Sequence, residues 1–225
     1  MASDSISLRA GTPAALANYV ATQLNNLFPA EGLDADVERL SALIPAALLR
    51  MQPILSAVRN FEPRRFDHFH SLQYATFLYL LGNEDWMRND NNSFADRLYG
   101  LNRALNSLDL FYSVRMPEVF FLSHALGSVI GNAGYGSGLV IFQGVTVGRV
   151  GEARPEIEAN VILYPGAHIT GSTRIGESSV VGAGVHLHGV TVPTNSVVML
   201  EPDGRQVMRA RTKDYASIYF RPAGG

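Results

Sequence analysis

The 225-residue chain contains no cysteine, which excludes disulfides, thiolate zinc sites and thiol catalysis. Lysine is almost absent as well, with Lys213 the single one. Charged residues are 17% of the total and nearly balanced, at a net charge of −2, so the clustered basic footprint of a nucleic-acid binder is missing. No apolar run reaches the roughly 20 residues that span a bilayer. The first twenty residues lack a basic stretch followed by an apolar one, so the expectation is a cytoplasmic protein with no membrane span. What the chain does have is 47% apolar residues, enough over this length for a sizeable core in one or two domains.

Glycine is unevenly spread. Gly11 and Gly32 are the only 2 of 21 that precede Gly82, whereas 14 fall between Gly127 and Gly189. Two architectures share the chain.

The first half has helical spacing. Leu16, Val20 and Leu24 recur at every fourth residue between Pro13 and Leu27. A longer pattern runs from Asp34 to Val58 through Val37, Leu40, Leu43, Ile44 and Leu48, with Asp34 as its expected N-cap and Pro45 and Pro53 expected to bend or interrupt it. Phe66 to Leu81 is apolar almost all round and predicts a buried helix. Asn83 to Asn92 (NEDWMRNDNN) predicts a polar turn, after which Ser93 caps a fourth helix through about Leu105.

The second half repeats every six residues. Ile157, Leu163, Ile169, Ile175, Val181 and Leu187 follow without a miss, and four residues after each stands a small or β-branched one. Six suits neither the 3.6 of a helix nor the alternation of an ordinary sheet. It predicts a parallel β-helix in which each hexapeptide makes a short strand and a corner. The frame extends back through Val147, Ile141 and Tyr135, and again through Leu122, Met116 and Leu110. The expected division is therefore a helical domain over 1–107, a β-helix over 108–200 and a tail over 201–225.

Two breaks interrupt the frame, and in a solenoid such breaks mark loops on a functional face. Val147 and Ile157 are 10 apart, ejecting four extra residues within GRVGEARPE, beside Arg154. Leu122 and Tyr135 are 13 apart rather than 12, near His124.

FHSLQYATFLYLL (69–81), LDLFYSVRMPEVFFLSHALGSVIG (108–131), IFQGVTVG (141–148) and RPEI (154–157) together carry a family resemblance. Over roughly 69–200 the chain resembles the hexapeptide-repeat acyltransferases of the serine O-acetyltransferase type, with their FHALQ, VDIHP…LDHATG, QSVTLGG and RHPKI elements. The resemblance implies a left-handed β-helix, acetyl-CoA as co-substrate, no metal, and trimers or dimers of trimers with active sites between subunits. It places the family's general-base histidine on His124 and the partner aspartate on Asp109, 15 residues earlier as in the family. Acyl transfer to a hydroxyl needs a base near neutral pKa, and a carboxylate fixes the imidazole tautomer, so the pair has a chemical reason as well.

Two departures fall on the substrate side. Ser123 stands where the family has an aspartate that helps recognise the amino acid, and Arg154 stands where RHPKI has its histidine, after a loop four residues shorter. Arg154 can hold a carboxylate in bidentate fashion, which favours serine or a related hydroxy amino acid; a shortened loop suits a sugar hydroxyl equally. For the donor, Gly148, Pro165 and Ala183 are expected at matching corners where the pantetheine arm lies against backbone. Arg209, Arg211 and Lys213 alternate and would share one face of an extended tail, as candidates for the phosphates or as a solvated run. His68 and His70, two apart on a predicted helix, do not share a face, whereas His186 and His188 on a predicted strand do. A silent binding member of the fold, or a metal-dependent enzyme on it, are the other classes the sequence leaves open.

Overall fold

A computed structural model of the chain describes residues 6–30 and 32–222. Helix α1 (Pro13–Leu27) starts at Thr12, whose hydroxyl accepts from the Ala15 amide while Pro13 takes the first helical position. Helix α2 (Leu33–Ala57) begins after Gly32, so the cap is not Asp34, which sits in the first turn with Asp36. There both carboxylates face the positive end of the helix. Pro45 and Pro53 do not interrupt it, and the helix runs 25 residues through both. Leu40, Leu43, Ile44, Ala47, Met51 and Ile54 form one buried stripe on either side of each proline. Packing on that scale outweighs a penalty of about 3 kcal/mol per proline.

Phe66 is not helical, because it pairs in a two-residue strand, Arg65–Phe66, with Ser7–Leu8. Helix α3 (Ser71–Arg88) starts later than the apolar pattern and ends later too. It absorbs Asn83, Glu84 and Asp85, which are buried rather than in a turn. Arg39 bonds both Asp85 oxygens at 2.8 and 3.1 Å, and Arg50 bonds Asn83 at 2.7 Å and Glu84 at 2.9 Å. Helix α4 (Ser93–Asn106) has Asn92 rather than Ser93 at its N-cap position, with no side-chain capping bond, and Arg97 forks onto Asp36 at 2.6 and 2.7 Å. Helix α2 is long and apolar enough to suit a membrane span, at a mean hydropathy of 1.3 over its best window. Its apolar stripe packs in the core and its Asp36, Arg39 and Arg50 are paired within the helical domain, which is the pattern of a core helix.

The rest is a left-handed parallel β-helix of about five turns. Its strands stack on three faces. Phe120–Leu122, Leu139–Ile141, Ile162–Leu163, Val180–Val181 and Ser196–Leu200 form the first. Asp109–Leu110, Val129–Ile130, Thr146–Gly148, His168–Thr170 and His186–His188 form the second. Gly134–Tyr135, Glu156–Ile157, Arg174–Ile175 and Thr191–Val192 form the third. The six aliphatic residues of the hexapeptide frame are the inward ones, each at most 2% exposed. Leu163 pairs with Val181 and Ile169 with Leu187, 18 residues on, which is three hexapeptides per turn. Ile141 pairs with Leu163 and Val147 with Ile169, 22 residues on, so the four extra residues lie where the frame broke. They form a small loop closed by the Val150–Ala153 bridge.

After the last rung Gln206–Ala210 returns antiparallel to Ser196–Leu200 and caps the first face. The chain then runs back along that face to the helices. Tyr219 packs on Phe121 and Phe142, and its hydroxyl lies 3.1 Å from that of Tyr164. Arg221 donates to the carbonyls of Ser56, Val58, Arg59 and Phe61.

Candidate active site

Between the first and second faces the chain turns a corner four times in succession. Gly127, Gly144, Gly166 and Gly184 hold φ of +69°, +66°, +69° and +67°, a conformation in which a Cβ is strained. The amide of Gly144 donates to Leu126, that of Gly166 to Gln143, and that of Gly184 to Pro165, so the corners form one column. Pro165 and Ala183 stand in this column. Gly148 does not: it ends a second-face strand opposite Thr170, at the next corner, and Gln143 holds the place equivalent to Pro165. The glycine of the motif was not the corner residue, because the corner is set by strand register.

His124 opens the column. Its backbone is left-handed, at φ 52°, an uncommon state for a non-glycine residue and one that concentrates at functional turns. The side chain is exposed and lines a small cavity of about 80 Å³ with Ser71, Leu72, Asn106 and Leu108. The turn is held against the start of the second face, since Gly127 donates to Ser107 and Asp109 to Ser128. Asp109 thus lies on the first rung beside the His124 turn. The two side chains share no hydrogen bond. Asp109 Oδ1 instead accepts from the Tyr99 hydroxyl at 2.6 Å, and Oδ2 lies 3.9 Å from Arg103 Nε. Tyr99 and Arg103 stand one turn apart on α4. Burial, reinforced by the Asp109 carboxylate it donates to, pushes the Tyr99 phenol up to about 12. Neither α4 residue was read as part of the site; a tyrosine and an arginine four apart on the last turns of the helix preceding Asp109 were the available signal.

Ser123, buried, follows the first-face strand Phe120–Leu122 and donates its amide to Ile141. Arg154 lies on the loop at the second corner, not near His124. Its side chain is 59% exposed, with Nε 3.8 Å from Glu156. It lines a cleft of about 700 Å³ with Trp86, Arg115, Asn132 and Tyr135, where the end of α3 meets the coil. Within one chain His124, Pro165 and Ala183 lie on successive rungs of one corner, with Ser123 and Asp109 beside its first turn, whereas Arg154 and Gly148 lie at the next corner, across the second face.

The tail cations do not share a face. The strand stops at Ala210, so only Arg209 belongs to it, paired with Glu201. Arg211 turns onto the opposite corner, bonded through its amide to Asn195 and 3.5 Å from Asp214. Lys213 lies over the Tyr215 ring at 4.9 Å. Arg205 lies in the hairpin that follows Leu200, whose side chain packs at the Gly184 corner at the top of the His124 column.

His68 and His70 precede α3 rather than lying on it, and the Nδ1 of each is buried without a hydrogen-bond partner. Burial holds His68 below the ordinary imidazole range. His186 and His188 do share a face, where His186 packs on His168 at 4.4 Å between centroids and His188 Nδ1 lies 3.1 Å from the Thr170 hydroxyl. Among the described residues no three histidine, aspartate or glutamate side chains converge as a metal site would need.

No family model matches the sequence. The serine acetyltransferase of Bacillus subtilis (strain 168) is 34% identical over 115 residues, which cover 48% of this chain and 52% of that protein. The chain spans about half the length of the curated relatives it matches. In structure it is similar to a serine acetyltransferase from Brucella abortus strain S19, with a TM-score of 0.70 and 22% identity over 90% of this chain and 85% of that one. The same enzyme in complex with coenzyme A superimposes with a TM-score of 0.66 and 20% identity, covering 90% and 83%. The chain has the fold of the serine acetyltransferases and resembles them in sequence over about half of its length.

Proposed function

We propose that the protein is an acetyl-CoA-dependent O-acetyltransferase whose acceptor is the hydroxyl of serine or a serine-like amino acid, working in the cytoplasm in amino-acid biosynthesis. The observation that carries the reading is an exposed histidine, His124, set on a left-handed turn at the head of a ladder of tight corners, in a chain whose relatives are named serine acetyltransferases. His124 takes the acceptor's proton as its oxygen attacks the thioester carbonyl. The carbon–sulfur bond then breaks and the imidazolium returns the proton to the leaving thiolate. No acyl-enzyme is needed. Asp109 stabilises the imidazolium and fixes its tautomer. The corner column, with Pro165 and Ala183 in it, provides a backbone wall against which a pantetheine arm lies, and Arg205 stands at its upper end. The test is release of CoA from acetyl-CoA across a panel of hydroxy amino acids and sugars. Turnover with L-serine or a close relative is expected; turnover with uncharged sugars alone, or none, would overturn it.

Arg154 is the acceptor's carboxylate clamp in this reading, with two parallel hydrogen bonds that lysine cannot reproduce. Arg154→Lys is expected to raise the KM for an amino-acid acceptor more than it lowers kcat, because the contact exists in ground and transition states alike. Steady-state kinetics with each substrate varied in turn checks this, and an unchanged KM removes Arg154 from the site.

The separation of Arg154 from His124 within one chain supports an assembly in which a second copy brings the two corners together. Leu126 and Val129, 59% and 44% exposed beside His124, are suited to be covered by it. The expected state is a trimer or a dimer of trimers, and light scattering that finds a monomer at micromolar concentration would refute it.

A further inference from the structure

Asp109 has a polar partner of its own, and that partner comes from the helical domain. The Tyr99 hydroxyl donates to Oδ1 at 2.6 Å, while Oδ2 has Arg103 Nε at 3.9 Å, outside hydrogen-bonding reach. The Tyr99 ring is itself fixed, edge-on to Phe111 at 5.0 Å, with the Arg103 guanidinium 5.5 Å from its centroid. His124 is the opposite case. Its imidazole is exposed and, among the described residues, is held by no hydrogen bond or ion pair. One member of the pair is therefore pinned and the other is free to swing.

We propose that Tyr99 is a positioning residue for the transfer reaction: its phenol pins the Asp109 carboxylate through one oxygen and leaves the other to receive an N–H of the His124 imidazole. The inference rests on the acetyltransferase reading and adds to it a contact from outside the β-helix. Tyr99 touches neither substrate; it acts through Asp109. A carboxylate held by one short bond offers its second oxygen along a fixed direction, whereas an unpinned one samples several rotamers and meets the imidazole only part of the time. Because the phenol loses its proton only near pH 12, it stays a donor throughout the range in which an imidazole titrates.

Tyr99→Phe keeps the ring and its contact with Phe111 and deletes only the hydroxyl. With acetyl-CoA and L-serine, or the panel acceptor that turns over, kcat is expected to fall three- to thirty-fold while both KM values stay within about twofold. In an Asp109→Asn background the same change is expected to cost nothing further, since its target has already lost its charge. An unchanged kcat in Tyr99→Phe, in an enzyme that is otherwise active, overturns this inference alone. Equal losses in both backgrounds also overturn it, because they mark a general effect on the fold. A wild-type protein that turns over no acceptor overturns the acetyltransferase reading, and this inference with it.

Discussion

His124→Ala is expected to lower kcat by about 10²- to 10⁴-fold while leaving the affinity for acetyl-CoA nearly unchanged, as loss of a general base does. The geometry makes this a clean experiment. The imidazole is exposed and, among the described residues, unbonded, so its removal opens no cavity in the core and orphans no partner. What the residue does contribute to the fold is a left-handed backbone at φ 52°, which alanine adopts less readily than asparagine. His124→Asn, which tolerates that conformation and cannot act as a base near neutral pH, is the matching variant. Both are expected to lose turnover alike, and Asp109→Asn to lose less, because the imidazole remains. Wild-type kcat in either His124 variant would end the proposed mechanism.

The largest effect on stability is expected within the helical domain. Arg97 forks onto Asp36 at 2.6 and 2.7 Å and also donates to the Phe28 carbonyl at 2.7 Å, which ties α4 to the start of α2 and the end of α1. Asp36 is 2% exposed and loses both of its charge-assisted hydrogen bonds once the guanidinium is gone. Arg97→Ala is expected to destabilise the protein by about 3–5 kcal/mol, the usual cost of leaving a buried charge uncompensated. For a chain of this size that is a fall in Tm of roughly 10 °C, measurable by calorimetry. The Arg97→Ala, Asp36→Asn double variant is expected to recover part of the loss, since the stranded charge is removed too. A Tm within about 2 °C of wild type for Arg97→Ala would show that the pair is not the tie described.

That network also explains where the sequence was legible and where it was not. A β-helix writes itself plainly, because each rung commits one inward aliphatic residue per strand and the spacing cannot drift without breaking the stack. The frame break at 147–157 located its loop for the same reason. Asn83–Asp85 was misread because its polarity looks like solvent exposure. The arginines that satisfy it come from α2, 33 to 46 residues away, and no local pattern carries that information. Gly148 was misplaced by residue type, whereas the corner column follows register, which only the paired strands reveal. Arg209, Arg211 and Lys213 alternate in the sequence, yet the strand ends at the next corner and divides them. His124 and Asp109 were marked by the family resemblance; that Asp109 accepts from Tyr99 was not legible, since α4 was read only from its expected cap at Ser93.

The Arg221 clamp changes how the chain reaches this structure. Contacts between rungs join residues 17 to 22 apart, so the coil can be wound step by step from either end, at little entropic cost per step. The clamp joins Arg221 to carbonyls 160 to 165 residues earlier, closing a circuit that encloses α3, α4 and the whole coil. It can form only when the full number of rungs is in place, because the return segment must span their height. The return segment through Arg221 therefore acts as a gauge of the coil: with a rung unwound it brings Arg221 to the wrong level, and the helical domain is tied only to a finished coil.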